Sequence, residues 1–155
     1  MRIDLVVYDF DGVMTDNRVL VFDDGHEAVF CNRDDGWAIR KISELKIEQI
    51  ILTTEENKSV EHRAKKLNLP IISGCLTKRE KLAKYCIDHN YDLRNVLYVG
   101  NGLNDLEVMK IVGYPIAVRD AHQKILEIAS FVTKRKGGEG ALLNVLWYIK
   151  ENTSC

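Results

Sequence analysis

The sequence is short of residues that mark disulfide-rich, metal-binding or loop-rich proteins. Its 155 residues include only two prolines, Pro70 and Pro115. The cysteines are few and widely spaced: Cys31, Cys75, Cys86 and Cys155. No two of them form a CxxC pair, which argues against a zinc site and predicts reduced thiols in a cytoplasmic chain.

The sequence also lacks an excess of either charge and any long apolar run. Lysine and arginine number 22 against 23 acidic residues, which gives a net charge of -1. Since nucleic-acid binders usually carry a basic excess, we expect no nucleic-acid partner. Apolar runs such as Leu5–Tyr8 are too short to cross a bilayer, and Asp4 interrupts the start where a signal peptide would be apolar. We therefore expect no membrane partner.

What is present is an ordinary globular composition, with 46% hydrophobic and 29% charged residues. A chain of this length suits one core, so we predict a single domain over residues 1–155. Apolar runs of strand length occur at residues 3–8, 48–53, 96–99 and 114–118. Helical stripes lie between and after them, centred on Ile39 and Ile42, Val60 and Ala64, Leu82 and Cys86, Leu106 and Met109, and Leu142 to Ile149.

Alternation of strands and helices predicts an α/β fold with a Rossmann-like, doubly wound and mostly parallel sheet. One insertion follows the first strand. Residues 18–22 and 27–30 flank the turn Asp23-Asp24-Gly25, which predicts a β-hairpin over about residues 18–31. In such folds ligands bind beyond the carboxyl ends of the strands. The segments to inspect are therefore residues 9–16, 53–56, 73–78, 100–105 and 119–122.

Two aspartates, Asp9 and Asp11, directly follow the first strand and lie on the same side of it. One carboxylate could act as a nucleophile while the other moves a proton, and both could offer hard oxygen ligands to Mg²⁺. The alternative is a pair of turn aspartates that cap the following segment, so the pair taken alone favours chemistry only modestly.

Four motifs in order resemble those of the haloacid dehalogenase superfamily, over residues 3 to about 149. The first motif reads Asp9-x-Asp11-Gly12-Val13-x-Thr15-Asp16. The second covers residues 50–55 and includes Thr53, Thr54 and Glu55, the third covers residues 74–78 and ends at Lys78, and the fourth covers residues 98–105 and includes Asn101, Asn104 and Asp105. More narrowly, the chain looks like the capless branch that dephosphorylates eight- and nine-carbon keto sugar acids. The family usually has glycine in place of Thr54 and aspartate in place of Asn101.

The resemblance implies a phosphoric monoester hydrolase that works through an aspartyl-phosphate. Its implied catalytic residues are Asp9 as nucleophile, Asp11 as acid and base, and Thr53 and Lys78 as stabilisers of the transferred phosphoryl group. Mg²⁺ would be held by Asp9, Asp11 and Asn101. The amide at Asn101 predicts weaker metal binding and slow turnover. Asn104 and Asp105 would support these ligands from just outside.

Substrate choice is predicted from Thr54, Glu55 and Lys66. Glu55 stands where the octulosonate enzymes carry an arginine, and Lys66 matches a lysine that accompanies that glutamate in the nononate enzymes. The resemblance therefore favours a nine-carbon acid 9-phosphate over octulosonate 8-phosphate.

The spacing of the motifs leaves no room for a cap domain, since Asp9 and Thr53 are 44 residues apart and Thr53 and Lys78 are 25 apart. An isolated hairpin is marginal without packing. We therefore predict that the hairpin packs on neighbouring subunits that cover each other's sites, and the resemblance suggests a homotetramer.

Two other functions stay open. The chain could be a weakly active or non-catalytic oligomerisation module, related to the C-terminal domain of acylneuraminate cytidylyltransferases, which Thr54 and Asn101 favour. A phosphotransferase such as a mutase is disfavoured, because no cap would guide a second substrate. Asp35-Gly36 resembles another turn of the family, and the adjacent Trp37 is expected to be a packing residue rather than to stack on a substrate.

Overall fold

The computed structural model describes residues 1–74 and 76–153, so the predicted reduced state of Cys75 and Cys155 lies outside the described residues. Its strands are β1 (Leu5–Tyr8), β2 (Leu20–Val21), β3 (Glu27–Ala28), β4 (Glu48–Leu52), β5 (Ile71–Ile72), β6 (Val96–Gly100), β7 (Tyr114–Ala117) and β8 (Phe131–Val132). Its α-helices are α1 (Arg33–Glu44), α2 (Lys58–Leu67), α3 (Lys78–Asp88), α4 (Leu106–Met109), α5 (Gln123–Ile128) and α6 (Leu142–Asn152).

Six of the strands form one sheet in the order β5-β4-β1-β6-β7-β8, and every neighbouring pair in it is parallel. The central strands β1 and β6 are buried along their whole length, as their continuous apolar sequence requires when helices cover both faces. This confirms the predicted α/β fold with a parallel sheet.

The register of the sheet brings three chain segments to one edge. Tyr8 at the end of β1 lies opposite Ile51 on one side and Val99 on the other. The residues that follow β1, β4 and β6 therefore emerge together. Because ligands bind at the carboxyl ends of parallel strands, this edge is where a functional site is expected.

The hairpin is present but shorter than predicted. Only two residues on each side, in β2 and β3, pair as an antiparallel ribbon, and a bridge between Thr15 and Cys31 closes its base. The described chain between β1 and β4 otherwise contains only α1. Between β4 and α3 it contains only α2 and β5, so the described residues include no cap domain, as predicted.

The other differences concern short elements. The helix predicted from Leu106 to Val112 ends at Met109. Gly113 lies against the turn that precedes β6, where a Cβ would be 1.9 Å from the Arg94 carbonyl oxygen. Neither α5 nor β8 was predicted, since six and two residues are too few to show a period. Asp35 and Gly36 belong to the first turns of α1 instead of a separate turn, and Trp37 is 40% exposed.

No helix among the described residues combines the length and the apolar character needed to span a bilayer.

Candidate active site

The loop after β1 is a tight turn that fixes both aspartates. The amide of Asp9 continues the sheet by donating to the Val99 carbonyl at 3.0 Å. The chain then reverses, and the Met14 amide donates to the Phe10 carbonyl at 2.9 Å. Gly12 has φ +87°, and a Cβ there would lie 2.0 Å from Nδ2 of Asn101. Glycine is therefore required both for the backbone angle and for the approach of Asn101.

A buried ion cluster forms the floor of this edge. Nζ of Lys78 donates to Oδ1 of Asp9 at 2.8 Å and to Oδ1 of Asp105 at 2.7 Å. Lys78 is 2% exposed, so it is not the solvated helix-start lysine that its position alone would favour. One cation thus bridges two carboxylates that come from the ends of different strands.

Asp105 is the better stabilised of the two carboxylates. Its Oδ1 also accepts from the Tyr98 hydroxyl at 2.7 Å, and its Oδ2 accepts from the amides of Asn101 and Gly102 at 2.9 and 3.1 Å. Burial opposes its charge, but Lys78 and these donors outweigh burial and lower the pKa of Asp105. Asp105 therefore keeps its negative charge and holds the loop that carries Asn101.

Asp9 accepts fewer hydrogen bonds than Asp105, and it is a weaker acid. Its Oδ1 accepts from the Phe10 amide at 2.8 Å in addition to Lys78. Burial and the neighbouring Asp105 raise the pKa of Asp9 to about 8, against the opposing effect of Lys78. A further cation next to Asp9 would therefore favour its ionised form. Burial, followed by the charge of Glu55, also raises the pKa of Asp11.

An open cleft of about 290 Å³ lies above the cluster. It is lined by Asp9, Asp11, Asn17, Thr53, Thr54, Glu55, Asn101, Gly102 and Asn104. Thr53 is buried at the end of β4, and its amide donates to the Ile72 carbonyl at 3.0 Å. The structure thus brings most of the predicted site residues to one cleft, and Lys78 and Asp105 belong to its buried floor.

The cleft offers oxygen donors that suit a hard divalent cation. Oδ1 of Asn101 is buried without a hydrogen-bond partner among the described residues, beside the loop of Asp9 and Asp11. Oxygen ligands are those that Mg²⁺ prefers. Residues 1–74 and 76–153 contain no group of three or more His, Cys, Asp or Glu side chains placed to hold a metal. A metal here would therefore depend on Asn101 as well as on the two aspartates.

Lys66 is the one predicted site residue that the chain does not bring to the cleft. It lies near the end of α2, where it lines a groove of about 590 Å³ between α1 and α2 with Arg63 and Trp37. Glu55 is at the cleft, and no ion pair joins it to Lys66 among the described residues. Within one chain, Lys66 therefore does not neutralise the charge of Glu55.

Two residues of the site region were not predicted. Asn17 lines the cleft and lies one residue beyond the segment 9–16 inspected in the sequence, so a longer window would have included it. Thr15 is buried, and its Oγ1 accepts the amides of Gly12 and Asn17, both at 3.1 Å. Its place in the turn was visible in the sequence, but its hydrogen bonds were not.

The chain is similar in sequence to known proteins. The sequence profile of the haloacid dehalogenase-like hydrolases matches residues 38–146. The 3-deoxy-D-manno-octulosonate 8-phosphate phosphatase of Yersinia pestis is 34% identical over 145 residues, which are 93% of this chain and 78% of the relative.

Two solved structures share the fold. A chain described as a HAD family hydrolase from Streptomyces avermitilis is 41% identical and has a TM-score of 0.90 over 92% of this chain and 82% of its own. The octulosonate 8-phosphate phosphatase of Moraxella catarrhalis, solved with magnesium, phosphate and KDO, is 26% identical with a TM-score of 0.92, over 96% of this chain and 86% of its own.

These matches confirm the resemblance that the four motifs predicted and the assignment to phosphoric monoester hydrolases of this type. They do not favour a non-catalytic oligomerisation module, because the relatives are named as enzymes. The chain belongs to the haloacid dehalogenase-like hydrolase family.

Proposed function

We propose that the chain is a Mg²⁺-dependent phosphatase that hydrolyses a keto sugar acid phosphate through an aspartyl-phosphate at Asp9. The observation that carries this proposal is the contact of Asp9 with the buried Lys78 on the floor of an open cleft. A cation at this point would neutralise both the attacking carboxylate and the phosphoryl group that it attacks.

The two aspartates divide the proposed chemistry. A carboxylate oxygen of Asp9 forms a bond to phosphorus, the bond from phosphorus to the sugar oxygen breaks, and Asp11 gives that oxygen a proton. Water then gives a proton to Asp11 and attacks phosphorus, which releases inorganic phosphate and regenerates Asp9. The raised pKa of Asp11 supports its role as the acid, because a protonated carboxyl is needed in the first step.

The metal would be held by the carboxylate of Asp9, the main-chain carbonyl of Asp11 and Oδ1 of Asn101. When bound, Mg²⁺ would neutralise phosphoryl oxygens and favour the ionised form of Asp9. Thr53, which directly follows β4, would donate a hydrogen bond to another phosphoryl oxygen. Asn104 and Asp105 would keep the loop of Asn101 in place.

For the substrate we propose octulosonate 8-phosphate first, since the relatives bear its name. The preference for a nine-carbon acid rested on Glu55 and Lys66, and Lys66 lies outside the cleft of its own chain. Thr54 and Glu55 remain candidate contacts to the sugar. If Lys66 takes part, it must act from a neighbouring subunit.

An assembly of several copies is part of the proposal. Apolar side chains of the hairpin region are exposed, among them Val21 at 61% and Phe30 at 69%. Surfaces of this kind mark contacts with another chain. We propose the homotetramer that the sequence predicted, with hairpins that cover neighbouring clefts. A cytoplasmic location belongs to the same proposal and rests on the sequence.

The experiment is a phosphate-release assay of the purified chain with octulosonate 8-phosphate, a nonulosonate 9-phosphate and p-nitrophenyl phosphate, each with Mg²⁺ and with EDTA. We expect Mg²⁺-dependent release, fastest with octulosonate 8-phosphate. Asp9→Asn should reduce kcat by at least ~10³-fold, because an amide cannot act as the nucleophile.

The matched control for this variant is Asp88→Asn, which makes the same change at an exposed position of α3. It should behave as the wild-type chain. Equal activity of wild type and Asp9→Asn would reject Asp9 as the nucleophile. A higher kcat/KM for the nine-carbon substrate would restore the prediction from Glu55 and Lys66.

A further inference from the structure

Asp35 is a buried carboxyl that the proposed reaction does not use. It lies in the first turn of α1 and is 1% exposed. Its Oδ1 accepts the amide of Leu142 at 3.1 Å, while its Oδ2 has no hydrogen-bond partner among the described residues. A buried carboxyl with one unpaired oxygen destabilises a fold, so its presence calls for an explanation.

The contact with Leu142 supplies the N-terminal cap that α6 lacks. The residue before this helix is Ala141, which has no side chain able to accept a hydrogen bond from the first turn. Leu142 is the first residue of α6, and its amide is one that the helix itself leaves unpaired. Asp35 therefore caps α6 from a different helix, at a point where the positive ends of α1 and α6 meet.

The segment that leads into α6 packs directly on the loop of Asp9 and Asp11. The amide of Gly138 donates to the Val13 carbonyl at 3.0 Å. A Cβ on Gly137 would lie 1.7 Å from the Gly12 carbonyl oxygen, so the two backbones touch without side chains between them. A displacement of the start of α6 would therefore be transmitted to the turn that carries the aspartates.

We propose that Asp35 is a positioning residue of the phosphatase reaction, which fixes the start of α6 and, through residues 137–140, the loop that presents Asp9 and Asp11. This inference rests on the proposed function. Asp35 acts through the backbone of another segment and does not touch the cleft, since it is absent from the lining residues.

The charge of Asp35 adds a test that a purely structural contact would not provide. Burial raises the pKa of Asp35 to about 7, against the opposing effect of the Leu142 amide. The charged or titratable groups that face it are Arg63 on α2, Arg135 before α6, Asp34 on its own helix, Tyr8 on β1 and Cys31 before α1. Between about pH 6 and pH 8 the bond to Leu142 thus becomes charge-assisted and stronger.

The first measurement is amide hydrogen exchange of the full chain without substrate, at matched intrinsic rates. Asp35→Ala should increase exchange in residues 137–142 and 12–16 by about tenfold and leave β4 unchanged. The control is Ile149→Ala, which loosens the far end of α6 and should not affect residues 12–16. Unchanged exchange of residues 12–16 in Asp35→Ala would overturn the proposal.

The second measurement compares kcat of the wild type with that of Asp35→Asn between pH 6 and pH 8. The amide keeps an oxygen for Leu142 but cannot ionise. We expect the kcat of the wild type divided by that of Asp35→Asn to be near 1 at pH 6 and to rise to about 3 at pH 8, with KM little changed. A ratio that does not vary with pH would reject the role of the charge, and absence of activity in the wild type would reject the proposed function instead.

Thermal unfolding separates positioning from stability. Because the pKa of Asp35 is raised by folding, the folded state loses stability as the pH increases from about 4 to about 7. Asp35→Asn removes this loss, so the Tm of the variant relative to that of the wild type should be clearly higher at pH 8 than at pH 5. A variant that is more stable but slower at pH 8 supports positioning, and one that is less stable there contradicts it.

Discussion

The floor of the cleft and the hairpin depart in opposite ways from the rule that apolar residues are inside. The floor buries Lys78 between Asp9 and Asp105, and each charge finds its partner within the chain. The hairpin exposes Val21, Phe30 and their apolar neighbours, for which the described chain offers no cover. The charges of the floor are paired within one copy, whereas the exposed apolar side chains of the hairpin would be covered only in the proposed assembly.

The largest effect is expected from removing the shared cation. Lys78→Met leaves Asp9 and Asp105 buried and facing each other without a counter-charge. We expect a loss of about 3–5 kcal/mol in the free energy of unfolding and a loss of at least ~10³-fold in kcat. Urea denaturation and phosphate release measure the two quantities.

If Lys78→Met proved as stable as the wild type, the ion cluster would not contribute to the fold. The matched control is Lys84→Met on the same helix, whose partner Asp88 is exposed. Exposed pairs at this spacing contribute little, so this change should alter stability by less than about 0.5 kcal/mol.

The hairpin is tested by adding charge where apolar side chains are exposed. Val21→Asp combined with Phe30→Asp should convert the proposed assembly to monomers, because buried unpaired carboxylates oppose association. The mass from light scattering measures this. The stability of each chain should change little, since both side chains are already exposed.

A matched pair of acidic changes at exposed positions outside the hairpin, Ile87→Asp with Asn90→Asp, lowers the net charge by the same two units and should leave the proposed assembly intact. A wild-type chain that is monomeric at micromolar concentration would contradict the proposed homotetramer before any variant is made.

A smaller effect is expected at Asn101. Asn101→Asp adds a carboxylate to a metal site that otherwise depends on a neutral amide oxygen. We expect tighter apparent binding of Mg²⁺ and a kcat about 10-fold higher, which corresponds to roughly 1.4 kcal/mol. Mg²⁺ titration of the phosphatase activity measures both, after the intact masses show that Asn101 has not deamidated next to Gly102.

Asn104→Asp is the control for this change, because it places the same charge on the same loop at an exposed position. Its effect on Mg²⁺ dependence should be clearly smaller. An Asn101→Asp variant with unaltered metal dependence would show that Asn101 is not a ligand, and the fourth motif would need a new assignment.

The sequence pattern was sufficient to predict the elements that short-range periodicity determines. β1 and β6 were recognisable because a strand buried on both faces is apolar throughout, and β4 and β7 because each ends in a short apolar run. The positions of Asp9, Asp11, Thr53 and Asn101 followed from the rule that parallel strands present their carboxyl ends at one edge. The family resemblance added the roles but not the geometry.

The sequence by itself therefore determined the fold class, the edge of the sheet that carries the cleft and most of the residues around it. Only the tertiary structure decided that Lys78 is buried against Asp9, which is 69 residues away in the sequence. It also decided that Lys66 lies outside the cleft and that Asp35 caps a helix 107 residues away. Periodicity reports which face of an element is buried, whereas a hydrogen bond between distant side chains depends on how whole elements pack.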